Sequence, residues 1–144
     1  MTNPPPTILI VDDDEGHAIL IRENLEAAGL ANRMVHFRDG QAILDFFPKT
    51  AHGSTETYLL LLDIRMPKVD GIEVLRRLKA DPELGKLPVI MLTTTDDSRE
   101  VERCYELGCN VYIQKPVDYE RFAEAIRRLG LFVSLVLLPE VSVP

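Results

Sequence analysis

The chain has 144 residues, of which 46% are hydrophobic and 27% are charged, and its net charge is −7 with a pI near 4.9. A chain of this length suits one domain that can bury enough surface to fold without a disulfide or a metal. The acidic balance argues against a nucleic-acid partner, and no apolar run reaches the roughly 18 residues of a membrane span.

The first residues and the cysteines indicate a cytoplasmic protein. The opening MTNPPPT lacks the charged and apolar regions of a secretion signal, so we expect residues 1–6 to form a flexible arm. Cys104 and Cys109 form no recognisable ligand set with the three histidines. They predict reduced thiols in the cytoplasm.

Short apolar runs alternate with helical patterns along the chain. The runs predict strands that are buried on both faces or nearly so. They lie at residues 8–11, 33–37, 58–62, 89–92 and 111–113.

Between these runs, apolar residues recur at helical spacing. The first helix carries Ala18, Ile21 and Leu25, with Gly29 just past its end. The other helical patterns are RDGQAILDFF and residues 72–79, 101–107 and 122–129. Alternation of this kind predicts an α/β fold of the flavodoxin-like, doubly wound type. We expect five parallel strands in the order 2-1-3-4-5 with helices on both faces.

Polar side chains follow the predicted strands at one edge of this sheet. Asp12 and Asp13 follow the first strand, Asp63 the third, Thr93 ends the fourth, and Lys115 follows the fifth. Carboxylates this close repel one another, and a hard divalent cation offsets that repulsion. The sequence therefore predicts a cation site at the carboxyl ends of the strands.

The neighbouring Asp14 is open to two interpretations: it caps the first helix, or it faces solvent.

Four motifs carry a family resemblance. ILIVDDD, LLLLDIRMPKVDGIEVL, PVIMLTT and VYIQKP occur in this order and resemble the signatures of the bacterial response-regulator receiver (CheY-like) family. The resemblance implies a receiver domain over residues 7–129. It implies a two-component phosphorelay in which Asp63 accepts a phosphoryl group from a sensor histidine kinase. Such a protein is a switch with intrinsic autodephosphorylation and not an enzyme.

The resemblance also implies roles for the residues at the strand ends. Asp13 would bind Mg²⁺ or Mn²⁺ directly and Asp12 through water, with Asp63 and the backbone carbonyl of Arg65 completing the protein ligands. Lys115 would pair with Asp63 and then with a phosphoryl oxygen.

Three further residues take roles in the switch by the same resemblance. Thr93 would hydrogen-bond the phosphoryl oxygen, and Tyr112 would turn inward when Thr93 moves. The family has a cis bond before the proline that follows the lysine, so we expect the Lys115–Pro116 bond to be cis.

Other functions fit the residues less well. DDDEGH with Glu23 hints at a calcium loop, but His17 stands where that loop wants glycine. A haloacid-dehalogenase-type phosphatase needs an aspartate where Arg65 stands. A flavin-binding module would show a Ser/Thr/Gly-rich phosphate loop after the first strand. The alternative function that stays open is a Mg²⁺-dependent phosphatase or phosphotransferase on small phosphoesters, which multiple turnover would reveal.

Softer features indicate a subgroup of receivers. LTTTDD, CYELGCNVYIQKP, the polar loop of residues 48–57 and the tail LPEVSVP resemble the phytochrome-associated single-domain response regulators. This resemblance implies a bacteriophytochrome as the kinase.

The apolar tail, residues 130–144, has three interpretations: it folds back on its own domain, it is disordered, or it forms a dimer. The 15 residues after Leu129 are too few for an output domain, so we expect output through a protein contact. We expect a homodimer in which the last helix spans residues 118–136 and an extended arm after Pro139 lies on the partner subunit. The expected interface residues are Phe122, Ile126, Leu129, Phe132, Val133 and Leu137.

Overall fold

Strands and helices alternate along most of the chain, as the apolar runs predict. The computed structural model describes residues 5–47, 55–136 and 138–142. The elements are β1 (Thr7–Val11), α1 (Glu15–Ala27), β2 (Met34–Phe37), α2 (Gly40–Phe46), β3 (Thr55–Glu56), β4 (Tyr58–Leu62), α3 (Gly71–Ala80), a 3₁₀ turn (Leu84–Lys86), β5 (Val89–Thr93), α4 (Ser98–Leu107), β6 (Val111–Gln114), α5 (Tyr119–Val133) and β7 (Val141–Ser142).

In the part of the chain that the structure describes, five strands form one parallel sheet in the order β2-β1-β4-β5-β6. The two-residue β3 lies outside this sheet, so the predicted order 2-1-3-4-5 is confirmed. The register pairs Val11 with both Phe37 and Leu62, and Thr93 with Gln114. The residues that follow these strands therefore meet at one edge.

Alternate residues of each strand feed two separate cores. Leu9 and Val11 of β1 point to the face covered by α2, α3 and α4. Ile8 and Ile10 point to the face covered by α1 and α5. This two-residue period explains why the runs are apolar throughout, since both faces of the sheet are covered.

Within the described residues, each of the five α-helices begins after an aspartate. The side chain of each accepts a hydrogen bond from a backbone N–H of the first turn. These residues are Asp14, Asp39, Asp70, Asp97 and Asp118. Asp14 thus caps α1, and its Oδ1 accepts from the His17 N–H at 3.0 Å. That hydrogen bond holds the pKa of the Asp14 carboxyl below its usual value.

The tail differs from the prediction. Helix α5 ends at Val133, three residues short of position 136. The Ser134 hydroxyl donates to the Leu131 carbonyl at 2.7 Å, a local hydrogen bond that competes with the helix. Strand β7 then pairs antiparallel with β3 of the same chain.

The predicted arm on a partner subunit is therefore wrong for the described tail residues, which fold back on their own domain. Val141 is fully buried in the core, and this burial is the physical reason. Residues 1–4, 48–54, 137 and 143–144 lie outside the described residues, so the expectations for Leu137, for most of the flexible arm and for most of the loop 48–57 are not tested.

The predicted dimer stripe is also corrected. Phe122, Ile126, Leu129 and Val133 are at most 8% exposed and pack in the core shared with α1. Their helical spacing marks the face of α5 that covers its own sheet. Phe132 is the described interface candidate that stays exposed, at 57%.

No helix in the described ranges is long and apolar enough to cross a membrane.

Both cysteines are free and buried. Burial raises the pKa of the Cys104 thiol to about 12 and that of Cys109 above its usual value. Because the thiolate is the reactive form of cysteine, we expect both thiols to stay protonated and unreactive. They carry none of the chemistry at the strand ends.

Candidate functional site

Three carboxylates converge at the carboxyl edge of the sheet. One oxygen from each of Asp12, Asp13 and Asp63 lies within 4.8 Å of the others. Asp12 and Asp63 are 2% and 7% exposed, and Asp13 is exposed. The sheet register holds them together, because the Asp63 N–H donates to the Val11 carbonyl at 3.0 Å.

A buried ammonium group lies among these carboxylates. Nζ of Lys115 is 2.6 Å from Oδ2 of Asp12 and 3.2 Å from Oδ2 of Asp63. The same Nζ is 3.0 Å from Nδ1 of His17. Since the Lys115 side chain is 2% exposed, its charge needs this close pairing. The backbone N–H of Lys115 donates to the Thr93 carbonyl at 2.6 Å, which fixes the start of the side chain beside β5.

Both the side chain and the backbone of Asp63 are held by neighbouring groups. Oδ1 of Asp63 accepts a hydrogen bond from the Ile64 N–H at 2.8 Å, which leaves Oδ2 directed at Lys115. Helix α3 begins against this segment because Gly71 has no side chain. A Cβ there would lie 1.9 Å from the Asp63 carbonyl oxygen. The site therefore depends on a glycine eight residues along the chain.

Asp12 is held by several contacts at once. Oδ1 accepts from the Asp14 N–H at 2.9 Å, and Nε2 of His36 donates to its carbonyl oxygen at 2.7 Å. Burial raises the pKa of the Asp12 carboxyl above its usual value, although Lys115 partly offsets this effect. The three carboxylates are hard oxygen donors, and this donor set fits a divalent cation of the magnesium or manganese type.

Thr93 brings a hydroxyl group to the same edge. The residue is fully buried, and its Oγ1 has no hydrogen-bond partner among residues 5–47, 55–136 and 138–142. A buried hydroxyl without a partner is uncommon. Asp63 follows β4, the strand that pairs with β5, so this hydroxyl lies at the same sheet edge as the carboxylates.

Residues 8–127 match the family described as the response regulator receiver domain. The chain belongs to this family. Its strand order, its acidic cluster and its buried lysine all fall within the matched range.

Relatives with solved structures share the receiver fold over nearly the whole chain. A receiver domain from Rhodospirillum rubrum is 45% identical with a TM-score of 0.88, over 94% of this chain and 99% of that one. Response regulator Rcp1 of Synechocystis is 33% identical over 141 residues, or 96% of each chain. The Mn²⁺-bound structure of Rcp1 has a TM-score of 0.85 at 31% identity, over 94% and 99% of the two chains. The phosphorylated cyanobacterial phytochrome response regulator RcpA is 29% identical with a TM-score of 0.86, over the same shares.

The protein is thus a receiver-domain response regulator of a two-component system, and receivers of this kind have sensor histidine kinases as partners. It is not a classical enzyme, and nothing in the comparisons supports the phosphatase alternative. The comparisons give no support to the haloacid-dehalogenase interpretation either.

Tyr112 lies half-buried on the strand next to β5. Its hydroxyl donates to the Thr95 carbonyl at 2.7 Å, and its N–H donates to the Tyr105 hydroxyl at 3.0 Å. Burial raises the pKa of Tyr112 to about 12. The ring is therefore tied to the loop that follows Thr93.

The peptide bond before Pro116 differs from the expectation. The described residues contain no cis peptide bond, so the predicted cis Lys115–Pro116 bond is wrong for this structure. Trans is the lower-energy isomer even before proline, by about 0.5–1 kcal/mol. The guanidinium of Arg65 pairs with the Glu100 carboxylate on α4 at 2.6 Å. This pairing leaves its backbone carbonyl as the group that could serve a cation.

The sequence interpretation missed the contacts of His17 and His36. His17 lies in the first turn of α1, on the helix that starts beside the acidic cluster, and His36 lies on β2 next to β1. Their positions next to the strand ends were a usable signal. The sequence held no such signal for the contact of His17 with Lys115, because 98 residues separate the two.

Proposed function

We propose that Asp63 is the phosphoacceptor of this receiver and that phosphorylation depends on Mg²⁺. The observation that carries the proposal is the pairing of Oδ2 of Asp63 with the buried ammonium of Lys115, beside two further carboxylates. A carboxylate is a weak nucleophile, and transfer of a phosphoryl group depends mainly on positioning and on neutralised charge.

The residues of the site divide this work. Oδ2 of Asp63 attacks the phosphorus atom, and the bond from phosphorus to the donor group breaks as the new bond forms. Lys115 offsets the negative charge of the phosphoryl oxygens, and the Thr93 hydroxyl donates to one of them. Later attack by water would release phosphate and restore Asp63, which is the intrinsic autodephosphorylation.

Asp12, Asp13, Asp63 and the Arg65 carbonyl would hold Mg²⁺ or Mn²⁺. The bound cation would supply the positive charge that lets an anionic donor approach an anionic acceptor. Support comes from the donor set itself and from Rcp1, a relative described in a Mn²⁺-bound form.

The kinase partner that we propose is a bacteriophytochrome, with the reaction taking place in the cytoplasm. RcpA, which is similar over 94% of this chain, is described as a phytochrome response regulator.

We also propose a homodimer. Its support is the group of large apolar side chains exposed at the end of α5, Leu131, Phe132 and Leu135.

The test uses two phosphodonors. The protein is incubated with Mg²⁺ and either acetyl phosphate or a phosphorylated bacteriophytochrome, and its intact mass is measured. We expect one phosphoryl group on the wild type and none on Asp63→Asn. Asp96→Asn, which changes an exposed aspartate of the β5–α4 loop, is the matched control and should be labelled normally.

Each part of the proposal has its own contradicting result. Labelling that survives in Asp63→Asn would refute the acceptor, and equal labelling in excess EDTA would refute the need for a cation. Sustained turnover of a small phosphoester would favour a phosphatase. Faster transfer from an unrelated histidine kinase than from the bacteriophytochrome would refute the proposed partner.

A further inference from the structure

The ammonium group of Lys115 has three N–H donors and three acceptors. Two acceptors are Asp12 and Asp63, and the third is Nδ1 of His17 at 3.0 Å. An ammonium group can only donate, so Nδ1 of His17 accepts. With Lys115 as the donor, the ring proton of His17 lies on Nε2, and the same Nδ1 is 3.7 Å from Oδ2 of Asp14. The transfer proposed for Asp63 does not involve this third contact of Lys115.

His17 is itself held from two sides. Its backbone N–H donates to the Asp14 cap at 3.0 Å. Its ring meets the ring of Phe122 on α5 edge-on, with the centroids 5.4 Å apart and the planes at 73°. The His17 side chain is 35% exposed and the Lys115 side chain 2%. The imidazole therefore covers one side of an ammonium group that is otherwise enclosed by protein.

The chemistry at Asp63 changes the other two acceptors of Lys115. Asp63 loses its carboxylate charge when it becomes an acyl phosphate, and Asp12 belongs to the cluster that would hold the cation. His17 bonds to no atom that reacts. It is thus the acceptor whose contact with Lys115 can persist through the whole cycle.

We propose that His17 is a positioning residue: it holds Lys115 toward the phosphoryl group during transfer to Asp63 and during hydrolysis. The proposal rests on the function proposed for Asp63. Without an acceptor at position 17, the third N–H of Lys115 turns to Asp12 or to entering water. The ammonium is then aimed less well at the phosphoryl oxygens.

Substitutions at this position can separate the acceptor from the ring. His17→Phe keeps a ring against Phe122 and removes the nitrogen. His17→Asn places an amide oxygen at the same number of bonds from the backbone as Nδ1, whereas His17→Gln places it one bond further. Ile19→Ala, at an exposed position on the same helix, is the control for a change in α1 that does not touch Lys115.

The experiment measures two rates on the full chain with Mg²⁺ present. Labelling of Asp63 by acetyl phosphate is followed by intact mass over a range of donor concentrations, and loss of the label is followed after the donor is removed. We expect His17→Phe to be about tenfold slower in both steps, the effect of losing one hydrogen bond to a charged group. We expect His17→Asn and Ile19→Ala to stay close to wild type and His17→Gln to resemble His17→Phe.

A second comparison tests whether His17 acts through Lys115. In a Lys115→Met background, His17→Phe should cause no further slowing, because the ammonium that it positions is gone. A purely structural role for His17 would slow both backgrounds alike. Thermal unfolding of every variant checks that the fold is intact.

The outcomes distinguish the two proposals. Wild type that is never labelled refutes the function proposed for Asp63, and the role of His17 with it. Normal labelling of wild type together with wild-type rates in His17→Phe refutes only the role of His17. Equal slowing in His17→Phe and His17→Asn, or slowing that persists in the Lys115→Met background, also refutes it.

Discussion

At the scale of single residues, we propose that the Thr93 hydroxyl links the proposed phosphoacceptor Asp63 to the loop after β5. It is buried without a partner among the described residues, while Tyr112 is tied to the nearby Thr95 carbonyl. A phosphoryl oxygen on Asp63 would give the Thr93 hydroxyl its missing acceptor. The new hydrogen bond would pull on the β5–α4 loop that holds Tyr112.

We therefore expect Thr93→Ala to accept a phosphoryl group on Asp63 but to lose most of the structural response. Moving a 1:99 mixture to 99:1 requires about 5.5 kcal/mol of differential interaction, and Thr93 and Lys115 are the groups that can supply it. Structures with beryllofluoride as the phosphoryl mimic provide the measurement, with wild type as the reference. The same change of the Tyr112 rotamer in both proteins would refute this role for Thr93.

Sequence reasoning predicted that the strand-end side chains converge, because these residues directly follow buried strands. Asp12, Asp63 and Lys115 meet at one edge, where a parallel sheet places its strand ends. It could not find the pairing of Lys115 with His17, because that contact depends on how α1 and the residues after β6 approach each other. No local pattern records such an approach.

At the scale of elements, α1 and α5 pack closely because α5 has a glycine, Gly130, at their contact. A Cβ at Gly130 would lie 2.8 Å from Cβ of Ala28 and 3.4 Å from Cδ2 of Leu25. From the sequence alone, Gly130 is a cost of about 1 kcal/mol in the middle of a helix. The structure supplies the reason for it, which is the close approach of the two helices.

Gly130→Ala should accordingly destabilise the protein although alanine favours helices. Overpacking typically costs about 1–3 kcal/mol, and the middle of this range exceeds the gain of about 1 kcal/mol in helix propensity. We expect a net loss of about 1 kcal/mol in the free energy of unfolding, measured by urea denaturation. The exchange variant Ala28→Gly with Gly130→Ala moves the methyl group to the other helix and should recover most of the loss. A Gly130→Ala protein as stable as wild type would contradict this account of the contact.

The same helix shows why the tail was misassigned. A stripe of apolar residues at helical spacing indicates that something covers it, but not which surface does so. For Phe122 and Ile126 the cover is the domain's own sheet and α1. The pairing of β3 with β7 was equally hidden, because each strand has two residues and the pair joins distant parts of the chain.

At the scale of the whole molecule, the surface at the end of α5 is the basis for the proposed dimer. Leu131 and Phe132 are each 57% exposed and Leu135 is 84% exposed. Grouped exposed apolar side chains of this size are typical of protein contacts. An interface built on them in a two-fold dimer would place the same patch of both subunits together.

Removing the tail is a poor test of this dimer, because residues 131–144 include Val133 and Val141, which are buried in the domain's own cores. The sharper variant is Phe132→Glu with Leu135→Glu, which puts charge on the exposed patch and leaves both cores intact. We expect wild type at tens of micromolar to have twice the 16.2 kDa mass of one chain, and the variant to have the mass of one chain. Light scattering with multi-angle detection measures both.

Tyr119→Glu, at an exposed position at the opposite end of α5, is the matched control and should remain dimeric. A wild type that is monomeric both with and without beryllofluoride would refute the dimer, and a dimeric double variant would refute this patch as its interface.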